Sequence, residues 1–134
     1  PTEAQQLRRY LEDMGQARVH PNSLAATGPH DVYVMQAVEN QTGLAGGGSV
    51  AEGQVLHYGE TGRGYVTSGN EWRRLLFREY GIKAEVQFIR TLEGKAAARQ
   101  AETALIKHFE RAVGVRPGFR DAAGNWVTIQ KTHH

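Results

Sequence analysis

Apolar residues recur along the chain at two spacings, near 2 and near 3.6, and each change of spacing marks a predicted element. In residues 5–14, Leu7, Tyr10, Leu11 and Met14 fall on one stripe that Gly15 ends, which predicts a short helix. His20-Pro21-Asn22-Ser23 and Thr27-Gly28-Pro29 then read as loops. Residues 31–38 (Asp-Val-Tyr-Val-Met-Gln-Ala-Val) predict a strand. Residues 41–53, with five glycines, predict a loop, and residues 54–58 a second, short strand ended by Gly59. Such a connection suits an antiparallel pair. Residues 60–69 predict another loop. A helix follows over 70–80, with Trp72, Leu75, Leu76 and Tyr80 as its core stripe and Gly81 as its C-cap. Residues 84–90 alternate as a third strand. Residues 94–113 predict the longest helix, stopped by Gly114 and Pro117, and 124–129 a final edge strand. The order strand–strand–helix–strand–helix predicts an α/β (α+β) fold, a small sheet with helices packed on it. Residues 1–30 read as a peripheral helix and linker, and 31–134 as the body.

Composition narrows the class. The 134 residues suffice for one domain, and 40% apolar with 22% charged residues is ordinary globular usage. No apolar run reaches the ~18 residues of a membrane span. The first residues lack a basic segment followed by an apolar core, so no signal peptide is expected. Cysteine is absent, which removes disulfides, thiolate metal sites and cysteine nucleophiles. A hard metal on carboxylates remains open. Twelve of the sixteen basic residues are Arg, while the net charge is only +2. Arg suits planar recognition of phosphate, yet a salt-bridged surface or a GC-rich genome explains the same excess.

Four places carry candidate chemistry. On the longest predicted helix, Ala98, Ala101, Glu102, Leu105, Phe109 and Ala112 share one face. Glu102 therefore lies inside an apolar stripe, which is costly unless it is paired, protonated or bound to a cation. Its alternatives are a salt bridge to an arginine, or a metal ligand or acid/base group. His57 precedes a glycine-rich loop and is either a ligand-facing residue or a structural histidine. Tyr33 taken alone is a half-buried strand aromatic. On the preceding helix, Arg73 lies about 100° from Trp72 and is expected to snorkel toward a site, whereas Arg74 lies about 200° away, toward solvent. The 59–64 loop can bring Arg63 and backbone amides near a phosphate.

Taken together these positions resemble the GIY-YIG nuclease family. Asp31-Val32-Tyr33 stands where that family has Gly-Ile-Tyr, and His57-Tyr58-Gly59 where it has Tyr-Ile-Gly. A helical Arg follows, Arg73 or Arg74. Glu102-Thr103-Ala104-Leu105-Ile106-Lys107 is similar to the Glu-x-x-Leu-Ile-Lys of its metal-binding helix, and Asn125 stands for its late Asn. The pattern runs over residues 31–126. Tyr58-Gly59-Glu60-Thr61 is similar to a branch found as nuclease domains at the C-termini of bacterial polymorphic toxins.

The resemblance implies a three-stranded antiparallel sheet flanked by helices, and a metal-dependent endonuclease that hydrolyses DNA. It implies one Mg²⁺ or Mn²⁺ on Glu102, Tyr33 or His57 as proton acceptor, Arg73 as the charge-stabilising group, and Arg63 and Asn125 as substrate contacts. It further implies a secreted or translocated antibacterial effector that acts in the target-cell cytoplasm and has a cognate immunity protein. The alternatives are a non-catalytic nucleic-acid-binding module on the same fold, a housekeeping repair or restriction-type nuclease, and a protein-interaction domain.

Overall fold

The computed structural model describes residues 26–44 and 47–130. The helix expected over residues 5–14 lies outside them. The element order is β1 (Pro29–Ala37), β2 (Val55–Thr61), α1 (Tyr65–Tyr80), β3 (Ala84–Glu93), α2 (Lys95–Val113), β4 (Phe119–Arg120) and β5 (Trp126–Val127). β1 is the centre of a three-stranded antiparallel sheet in the order β2-β1-β3. Both its faces are covered, which is why it reads as a nearly unbroken apolar run. Tyr33, Met35 and Ala37 share a core with Leu76 of α1, whereas Val32 packs with Ala98 and Ala101 of α2. β2 splits the same way, with His57 stacked on Trp72 of α1 and Tyr58 on Phe109 of α2. The two helices thus cover opposite faces of the sheet.

Four boundaries differ from the sequence pattern: β1 begins at Pro29, not Asp31, where Pro29 and His30 pair with Glu93 and Leu92 of β3, and three others shift as well. β2 does not end at Gly59 but runs to Thr61. Gly59 is paired with Tyr33, and a Cβ there would run into the Tyr33 ring, so this glycine makes room for an aromatic and does not break the strand. α1 begins at Tyr65, five residues before position 70, through Val66, Thr67, Ser68 and Gly69, which are weak helix formers. Tertiary contacts hold that turn. Asp31 Oδ2 accepts the Tyr65 N–H at 2.9 Å, Ser68 Oγ donates to Thr61 Oγ1 at 2.6 Å, and the Gly69 backbone lies against Val86. β3 runs on to Glu93. The Gly81 C-cap stands where the pattern put it, at φ 73°.

The expected edge strand over 124–129 does not join the main sheet. Its residues Trp126 and Val127 pair with Phe119 and Arg120 in a separate two-stranded ribbon. The outer edge of β2 is closed by side chains instead. Gln130, 3% exposed, accepts the Tyr58 N–H at 2.6 Å and donates to the Tyr58 carbonyl at 3.0 Å. Two residues further on, Glu102 takes the Glu60 N–H. Side chains from the C-terminal segment and from α2 thus do the work of a fourth strand.

Candidate functional site

β1 begins, β2 ends and both helices begin at the same end of the sheet, and a cleft of about 290 Å³ opens there. β1 contributes His30 and Tyr33, β2 Glu60 and Thr61, and α1 Ser68, Glu71 and Trp72, with Arg63 on the connecting loop and Lys95 at the head of α2. Tyr33 is 2% exposed. Burial, then the charges of Glu102 and Glu60, push its phenol well above the ordinary value, while the Trp72 indole N–H, donating to its oxygen, opposes that shift. Both effects hold the proton on Tyr33, which favours it as a hydrogen-bond donor.

Glu102 is 3% exposed within the α2 stripe that also buries Ala98, Ala101 and Ile106. Its carboxyl is pushed up to about 8, first by burial and then by the neighbouring Glu60, against the charge of Arg99 and the Glu60 N–H. Arg99 makes its ion pair with Glu60 at 3.6 Å. Glu102 is not part of the cleft lining; it backs onto the cleft through Glu60. The sequence pattern missed Glu60, which lay within a predicted loop. Its side chain and Glu102 come together only because β2 extends two residues past Gly59.

Glu102 and Glu60, near enough for the charge of Glu60 to raise the Glu102 carboxyl, are the side chains here that could hold Mg²⁺ or Mn²⁺, which take one or two carboxylates and complete their shell with water and phosphate. Among the described residues no group of three or more His, Cys, Asp or Glu forms a fuller cage.

The arginines sort differently from expectation. Arg63 lines the cleft, its guanidinium forked onto Glu71 at 2.7 and 2.9 Å. That hydrogen bond holds the Glu71 carboxyl below its usual range, and the charges of Arg63 and Arg74 add to the effect. Arg74 thus stands on the Glu71 side of α1. Arg73 does not reach the site. With Trp72 and Glu71 at the cleft, a step of 100° per residue carries Arg73 to the other flank of the helix, on one stripe with Val66 and Phe77, which are 54% and 58% exposed.

His57 and Asn125 also lie apart from the cleft lining. The His57 ring is 7% exposed, 4.1 Å from Trp72 and 6.3 Å from Tyr33 by ring centroids. It lies on Trp72, with Tyr33 tilted beside it. Asn125 sits in the β4–β5 turn, where its N–H donates to Asp121 Oδ1 at 2.9 Å. Its place in the ribbon is that of a turn residue.

No protein-family model, no curated protein and no solved structure matches this chain. The site's own geometry and the motif resemblance are what bear on function.

Proposed function

We propose that this domain is a metal-dependent endonuclease that hydrolyses phosphodiester bonds, with DNA as the preferred substrate, and that it serves as the toxin domain of an antibacterial effector. The observation that carries the reading is Glu102, a carboxyl buried in an apolar helix face behind a second one, Glu60, which lines a cleft with Tyr33 and Arg63. Glu102, with Glu60 beside it, would hold one Mg²⁺ or Mn²⁺. Such a cation supplies Lewis-acid charge to the scissile phosphate.

The chain's own groups do the rest. The Tyr33 hydroxyl donates to a phosphoryl oxygen. Arg63 exchanges the Glu71 carboxylate for a phosphate, a substitution its planar fork accommodates with two parallel hydrogen bonds. Trp72 and His57 fix the tyrosine ring. The effector role and its immunity protein rest on the resemblance alone, through Tyr58-Gly59-Glu60-Thr61.

The test incubates the pure protein with supercoiled plasmid and with total RNA, with Mg²⁺ and with EDTA. Mg²⁺-dependent nicking that Glu102→Gln abolishes is the expected result. Salt-sensitive binding without cleavage would replace it with the binding-module reading. In cells, the wild type should be lethal, Glu102→Gln harmless, and the product of the adjacent gene protective. Harmless expression of an active wild type would remove the effector role.

A further inference from the structure

The cleft holds a histidine that the motif resemblance leaves out. His30 is the second residue of β1, is 7% exposed and lines the cleft. Its Nδ1 lies 3.2 Å from the Gly28 carbonyl oxygen. A carbonyl can only accept, so Nδ1 carries the hydrogen and the neutral ring keeps its lone pair on Nε2. Gly62 lies directly over that atom. A Cβ at position 62 would sit 3.0 Å from His30 Nε2, while the backbone there is not in the left-handed region. Glycine is thus called for by the close packing of this backbone on the His30 ring and not by the turn.

We infer that His30 is the proton acceptor for the attacking water, through Nε2, with the Gly28 carbonyl fixing its tautomer and the small Gly62 packed beside that atom. This rests on the nuclease reading of the same cleft. As the water oxygen bonds to phosphorus, one of its protons passes to Nε2. The P–O bond to the leaving end breaks, its electron pair stays on that oxygen, and that oxygen takes a proton from solvent. The imidazolium then returns its proton to solvent. One water is consumed, leaving a phosphate monoester and a hydroxyl. The other two candidates are less fit. Burial and neighbouring carboxylates raise the Tyr33 phenol, and His57 lies on Trp72 and is not among the residues lining the cleft.

The experiment compares wild type, His30→Ala and Gly62→Ala in Mg²⁺-dependent plasmid cleavage, with DNA binding measured in EDTA. His30→Ala should lower the rate constant about 10²–10³-fold, the range for a lost general base, with DNA affinity unchanged. Free imidazole at high concentration should restore about tenfold of that loss, which a merely structural histidine would not allow. Gly62→Ala keeps the imidazole but sets a methyl 3.0 Å from Nε2, and should lose activity because that methyl crowds the accepting atom. It therefore tests the role even if His30→Ala fails to fold. Wild-type rates in Gly62→Ala, or a folded His30→Ala that is fully active or not rescued, would overturn the role of His30 while the nuclease reading stands. Absence of cleavage by the wild type would remove both.

Discussion

Glu102 carries a proton at neutral pH that it would not carry in water. Burial, with Glu60 adding to it, raises its carboxyl from 4.5 to about 8, so in EDTA the folded protein holds a proton that the unfolded chain releases. The sign follows from linkage. Stability from this group is complete below about pH 4.5 and is lost as pH rises toward 8, because the unfolded state binds fewer protons in that window. Wild type should therefore melt at lower temperature as pH goes from 5 to 8.5, and Glu102→Gln should flatten that trend and melt higher at pH 8.5. Mg²⁺ competes with the proton, so it should raise the melting temperature more at pH 8.5 than at pH 6. Thermal melts across that range, with EDTA and with Mg²⁺, check all three. A Glu102→Gln protein that is less stable at every pH and still cleaves DNA would mean the residue serves only to close the β2 edge at the Glu60 N–H.

At the scale of elements, the turn of α1 sorts its arginines relative to the cleft. Ser68, Glu71 and Trp72 face the cleft, Arg74 lies on the Glu71 side, and Arg73 shares the far flank with Val66 and Phe77. Arg63, on the loop before the helix, is the cleft-lining arginine. Alanine substitutions should rank accordingly. Arg63→Ala should cost about 10²–10³ in rate, as the loss of a preorganised donor at a developing charge does. Arg74→Ala should cost less than about tenfold, since it acts from the far side of Glu71 through solvent. Arg73→Ala should cleave as wild type does. Steady-state cleavage by the three purified variants decides the order, and a large effect at Arg73 alone would mean substrate crosses the outer flank of α1.

At the scale of the molecule, charge is balanced and not steered. The net charge is +2, and the cleft sets Arg63 and Lys95 against Glu60 and Glu71. A protein that neutralises many phosphates loses affinity steeply with salt, by a slope of about 0.9 per phosphate contacted. Two cations at the site predict a slope of about 2 for duplex DNA, far from the values of large basic binders. Fluorescence anisotropy in EDTA between 50 and 200 mM salt, about a fourfold range, measures it, and a slope of about 6 or more would place the contact surface outside the cleft.

The element order, the central strand, the two glycine C-caps and the buried position of Glu102 were all legible in the sequence. Each depends on a periodicity or a local backbone preference that neighbours along the chain express by themselves. The early start of α1, the extension of β2 through Gly59 and the separate β4–β5 ribbon were not legible. Gly59 reads as a breaker until Tyr33 is placed across from it, and Val66 to Gly69 reads as loop until Asp31, 34 residues upstream of Tyr65, takes its N–H. The site divides along the same line. Tyr33 and Glu102 could be found from pattern and resemblance. That His30, Glu60 and Arg63 line one cleft came only with the tertiary structure, because the cleft lies at an end of the sheet. There, residues from strand ends, a loop and helix starts converge, and no spacing along the chain encodes that convergence.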